Sequence, residues 1–135
     1  ADYLLSLKES TLWIADEVAS TPILIPETHG DMPSLYRAIE QYAEKDQPFY
    51  ADAILDPIHF GFTESIIRYH ELRQNCPDIK IMMGVGNLTE LTEADTTGIN
   101  AMLFGLISEM QLDAVLATEV SPCTLREETV VCLKV

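Results

Sequence analysis

Short apolar runs alternate along the chain with stretches whose apolar residues recur at helical spacing. Asp2 to Leu7 reads as a short buried strand, and a helix is predicted from about Ser10 to Ala19, with Leu12, Trp13, Ala15, Val18 and Ala19 on its apolar face. Thr21-Pro22 breaks that helix, and Ile23-Leu24-Ile25 is a β-branched run typical of strands covered on both faces. Pro26 to Asp31 is a polar loop, after which Pro33 opens a helix with Leu35, Ile39, Tyr42 and Ala43 along one side. Asp46-Gln47-Pro48 ends it, and a third strand runs from Phe49 to Leu55. Thr63 is an N-cap for a helix reaching Asn75, where Cys76-Pro77-Asp78 stops it. Lys80 to Val85 is a fourth strand. Thr92 to Asp95 has capping-box spacing before a helix from Thr96 to Met110. That helix is apolar nearly all round, which predicts burial on more than one side. Ala114 to Thr118 is a fifth strand; beyond it Leu125 to Glu128 is helix-like and Thr129 to Leu133 strand-like.

Strands alternating with helices predict the α/β class, with parallel βα repeats and right-handed crossovers. No linker or low-complexity stretch divides the chain, so residues 1–135 are expected to form one α/β domain. Roughly five βα units are too few to close an eight-stranded barrel, which takes ~250 residues. The expectation is therefore a partial TIM (β/α)8 barrel, a fragment of a longer protein whose front is missing. An open flavodoxin-like sheet is the alternative. A polar group at each strand end favours the barrel.

Composition narrows the partners. The net charge of −14, with only eight Lys plus Arg, argues against nucleic acid and acidic membrane surfaces. No apolar run approaches the ~20 residues of a membrane span. Cys76, Cys123 and Cys132 lack metal or disulfide spacing, consistent with a reduced, cytoplasmic protein. His70 reads as a surface or packing residue, Met82 and Met83 as core filler, and Trp13 and Tyr36 as cover for the outside of the sheet.

If the strands are parallel, Glu27, Asp56, Asn87 and Glu119 fall at or just beyond their C-terminal ends, with His29 and His59 in the first loop turns. Loops after parallel strands carry ligand-binding groups disproportionately, so convergence there predicts a site at one mouth. Taken singly, each has a plainer explanation. Asp56 also suits a loop cap, and Gly84, Gly86 and Asn87 suit a turn.

The segment "ILDPIHFGF" (Ile54 to Phe62) resembles the "LDPGxGFGK" motif on the sixth strand of dihydropteroate synthase, a TIM barrel of the pterin-binding superfamily. "MGVGNLTE" (Met83 to Glu90) is similar to the seventh-strand segments, "GxSRK" in the synthases and "GxSN" in the corrinoid methyltransferases of the same superfamily. The resemblance implies that Asp56 hydrogen-bonds a reduced pterin and that Asn87 contacts it. It implies condensation of a pterin diphosphate with an arylamine, in folate- or methanopterin-type cofactor synthesis. Ile58 and His59 replace small residues, Thr63 replaces a Lys, and the stretches Gly86-Asn87-Leu88 and Leu116 to Glu119 offer no cation. An anion would fall to Mg2+ on Glu27 or Glu119, to His29 or His59, or to helix N-termini. Three alternatives follow: a methyl-tetrahydropterin:corrinoid methyltransferase, a non-catalytic pterin-binding subunit, and an acid-lined Mg2+ site of phosphatase type. A homo-oligomer or the absent front of the barrel would complete the sheet.

Overall fold

The computed structural model describes residues 2–89, 91–92, 95–119 and 129–134, the last six and residues 118–119 by backbone alone. The element order is β1 (Tyr3–Leu7), a 3-10 helix (Glu9–Asp16), β2 (Thr21–Leu24), α1 (Met32–Ala43), β3 (Tyr50–Ala51), α2 (Phe62–Asn75), β4 (Met82–Gly84), α3 (Gly86–Thr89), α4 (Thr96–Glu109), β5 (Ala114–Glu119) and β6 (Thr129–Lys134). This is an α/β protein whose first five strands pair in parallel and in chain order. β1, β2 and β3 form one ladder and β4 and β5 another, with a parallel bridge from Ala51 to Ile81 joining the two. β6 lies antiparallel on the outer edge of β5, where Glu119 pairs with Thr129.

Helices pack on the sheet through the positions that helical spacing marks. Leu35, Ile39 and Tyr42 of α1 and Tyr69 and Leu72 of α2 are buried, as are Met82 and Met83 of β4. All but Met82 join Leu24, Leu55, Ile81 and Leu103 in one apolar core, while Met82 packs with Ile23, Tyr50 and Ala114 in a second cluster; each such side chain contributes about 1.5–3 kcal/mol of transfer free energy. Among the described residues no helix is long and apolar enough to cross a membrane.

Several expected boundaries are corrected. The helix expected from Ser10 to Ala19 is a 3-10 helix ending at Asp16, and Trp13 is 59% exposed instead of covering the sheet. Thr21 and Pro22 lie inside β2, Pro22 being paired with Leu4 of β1. The third strand stops at Ala51 because Asp52 turns the backbone through its own side chain (below). Thr63 does not cap α2; Gly61 does, at a left-handed φ of 110°. Gly86 to Thr89 is a helical turn closed onto Val85 O. α4 buries Leu103 and Ile107 but exposes Met102 and Phe104, so among the described residues it is covered along one side. The helix-like stretch Leu125 to Glu128, Cys123, and Glu93 and Ala94 of the expected capping box lie outside the described residues.

Candidate ligand-binding site

The C-terminal ends of β2, β3 and β4 carry the polar groups that concern function. After β3 the ladder continues by one bond, from Asp52 N–H to Leu24 O, and then the chain leaves the sheet. Asp52 Oδ1 accepts the amide hydrogen of Ile54 at 2.8 Å, and that short loop holds Ile54 at φ 67°. A β-branched residue in the left-handed region is strained by about 1–3 kcal/mol, a state that persists only where its surroundings over-determine it. They do so here. Asp52 is buried and also accepts from the hydroxyl of buried Tyr69 on α2. Arg68, one residue earlier on α2, donates from Nε to Ala53 O at 3.3 Å and from Nη2 to Ile54 O at 2.9 Å.

The strained turn delivers Asp56, whose side chain is only 7% exposed. Its Oδ2 accepts from Arg68 Nη2 at 2.7 Å and from His29 Nε2 at 2.9 Å. Gly61 stands directly behind it, since a Cβ on that glycine would lie 3.1 Å from Oδ2. Asn87, at the start of α3, donates from Nδ2 to Leu55 O at 3.2 Å, which places its amide beside the peptide that precedes Asp56.

His29 reaches Asp56 from the β2–α1 loop. Ser34, fully buried on α1, anchors that loop: its hydroxyl accepts Glu27 N–H at 2.8 Å and donates to Asp31 O at 2.7 Å. The side chain of Asp31 accepts Ser34 N–H as the helix N-cap. The sequence-predicted group is thus only partly assembled. Asp56, His29 and Asn87 come together. Glu27 turns away, accepting Ser10 N–H and its hydroxyl, which holds its carboxyl below the ordinary range. His59 is exposed in the next loop at φ 71°, lining a cavity of about 330 Å³ with Gly61 and Thr63 at the start of α2. Glu119 ends β5, and its side chain lies outside what is described. Among the described residues no three His, Cys, Asp or Glu side chains gather as metal ligands.

Arg68, Asp52 and Tyr69 were not singled out from the sequence. A signal for Arg68 was present: it shares a helix face with buried Ser65, Tyr69 and Leu72, positions where a cation needs a partner. An acid inside the apolar run "YADAIL" was the corresponding signal for Asp52. A larger concavity, about 820 Å³, lies elsewhere, near the N-terminal ends of β1 and β2, lined by Asp2, Thr21, Tyr42 and Pro48 among others. It contains none of the predicted site residues.

No family model matches the chain, and no solved structure matches it. The chain is similar to an uncharacterized protein of Methanocaldococcus jannaschii, with 33% identity over 102 residues. The match takes in 72% of this chain and 19% of that relative, so the chain spans about a fifth of the relative's length.

Proposed function

We propose that this chain is part of a pterin-binding protein of dihydropteroate synthase type, condensing a reduced pterin diphosphate with an arylamine. The observation that carries the proposal is the Asp56 carboxylate. It is buried in the turn after β3 and fixed from behind by Arg68, the Asn87 amide bonds the carbonyl of the preceding residue, Leu55, and no described residue donates to its Oδ1. A pterin's 2-amino and ring N–H groups are adjacent donors that a carboxylate matches. The Asn87 amide offers a donor and an acceptor to the remaining edge. A diphosphate would lie over the cavity at the start of α2, lined by His59, Thr63 and Glu64 among others, where the N-terminus of α2 would favour an anion.

The fold part of the proposal is an arc of a (β/α)8 barrel. In a flavodoxin-like sheet the first strand lies between the second and third. Here β2 lies between β1 and β3, as in a barrel wall.

Titration of 6-hydroxymethyl-dihydropterin into wild type and Asp56→Ala tests the site. Wild type is expected to bind, and the variant to lose ~1–3 kcal/mol, the cost of unpaired donors. Equal affinity in the two proteins would remove Asp56 from the site. Asn87 favours a second reaction, methyl transfer from a methyl-tetrahydropterin to a corrinoid protein. Methyl transfer without arylamine condensation would select it, and pterin binding without either would mark a non-catalytic subunit.

A further inference from the structure

The two donors on Asp56 Oδ2 are held very differently. Arg68 is 11% exposed, and its guanidinium also bonds Ala53 O and Ile54 O, so leaving would strand two carbonyls. His29 is 69% exposed, and Asp56 is its one hydrogen-bond partner among the described residues. A carboxylate oxygen has two lone-pair directions, and on Oδ2 both are taken. A ligand that presents two adjacent donors needs one on each oxygen. It therefore has to displace one of the present pair, and only His29 leaves without exposing buried acceptors.

We infer that His29 is an exchangeable stand-in for the ligand: an N–H of the bound molecule replaces it on Asp56 Oδ2 while Arg68 stays, so the site selects a neutral planar ligand with paired donors. The selectivity follows from charge. Arg68 already neutralises Asp56, so a guanidinium ion arriving at the same edge would meet a like charge on a closely packed cation. A neutral cyclic amidine edge makes the same two bonds without that repulsion. The inference stands on the premise above that Asp56 holds the ligand, and it adds which ligand charge is accepted and what must move.

The test uses the whole chain, with 6-hydroxymethyl-dihydropterin and methylguanidinium as probes, in wild type, His29→Ala and Asp56→Asn. Removing His29 deletes a competing hydrogen bond, so His29→Ala is expected to bind the pterin about three- to tenfold more tightly. The His29 ring resonances of wild type saturated with pterin should move to the positions they hold in free Asp56→Asn. Methylguanidinium should bind wild type more weakly than the pterin does. Unchanged or weaker pterin binding by His29→Ala, with wild type binding, overturns the exchange and leaves Asp56 as the ligand-holding group. Methylguanidinium binding as tightly as the pterin overturns the charge selectivity. Wild type that fails to bind the pterin at all overturns the premise itself, an outcome distinct from both.

Discussion

Tyr69 donates its hydroxyl hydrogen to Oδ1 of Asp52, and both side chains are buried where α2 meets the end of β3. The same oxygen accepts the amide of Ile54. One acid thus ties a helix to the turn that presents Asp56. Burial pushes the Asp52 carboxyl up from its ordinary 3.8 to about 6, with the Tyr69 and Ile54 bonds opposing the rise, and it pushes the Tyr69 phenol up as well.

A folded-state pKa above the unfolded one makes the protonated form the better fit for the fold. The contribution of Asp52 is therefore complete below pH 3.8 and is lost as pH rises through about 6. The swing is about 3 kcal/mol at 1.36 kcal/mol per unit. Denaturant titrations of wild type and Asp52→Asn at pH 5 and pH 8 measure it. At pH 5 part of the swing is already lost, so the difference in stability between the two proteins should shift by about 1.4 kcal/mol in favour of the Asn variant at pH 8. A constant difference across the range would remove Asp52 as the titrating group.

Tyr69→Phe keeps the ring and deletes one bond to a buried carboxylate. A loss of ~1–3 kcal/mol is expected, because the acceptor stays buried with one donor fewer. The Asp52 titration should also move above about 6, since the Tyr69 bond lowers it. Carboxyl NMR shifts followed with pH read the midpoint directly.

Ile54 offers a test of strain. At φ 67° a β-branched side chain is costly, while glycine adopts the same backbone freely. Ile54→Gly is therefore expected to be more stable than Ile54→Ala by about 1 kcal/mol, the reverse of the usual order for these residues outside the left-handed region. Its pterin affinity should nonetheless fall, since the turn no longer forces Asp56 into place. Stability and affinity moving together would show that the strain does not position the site.

The alternation of strands and helices was legible because apolar runs and helical spacing differ in period. Leu35, Ile39, Tyr42 and Leu72 were picked out this way and are buried. The end of β3 was not legible: "YADAILDP" reads as one strand, and only the Asp52 side chain bonding to Ile54 N–H shows that it stops after Ala51. Trp13 failed for a related reason. Burial preference is an average, and the 3-10 helix, with its different period, turns that ring to solvent. Strand-end logic picked out Asp56, His29 and Asn87, which the fold gathers around the turn after β3, whereas Arg68 reaches Asp56 from the middle of α2, where strand-end logic does not look.

Gly61 provides a steric probe of Asp56 that leaves its chemistry intact. The residue sits at φ 110°, where side chains are disfavoured, and an added Cβ would press on Asp56 Oδ2 at 3.1 Å. Gly61→Ala should lose ~1–2 kcal/mol of stability from the backbone alone. It should also weaken pterin binding by displacing the carboxylate.

Arg73 is the structural counterpart of Arg68 at the other end of α2. Its Nη1 donates to Cys76 O, Pro77 O and Ile79 O, and its Nη2 to Gln111 O at 2.9 Å and Asp113 Oδ2 at 2.6 Å. One side chain thereby fastens the end of α2 to the loop before β4 and to the turn before β5. Asp113 in turn accepts the Ile81 amide at 2.8 Å, which sets where β4 begins. The ion pair itself contributes little, about 0–1 kcal/mol, because Asp113 is 39% exposed. The carbonyls matter more, since Arg73 is only 12% exposed and its removal leaves several of them without a donor. Arg73→Ala is expected to lose about 2–4 kcal/mol, most of it from those stranded acceptors. Asp113→Asn should lose far less, because the carbonyl network and the Ile81 bond survive. Denaturant midpoints of the two variants separate these contributions, and equal losses would place the stabilisation in the ion pair instead.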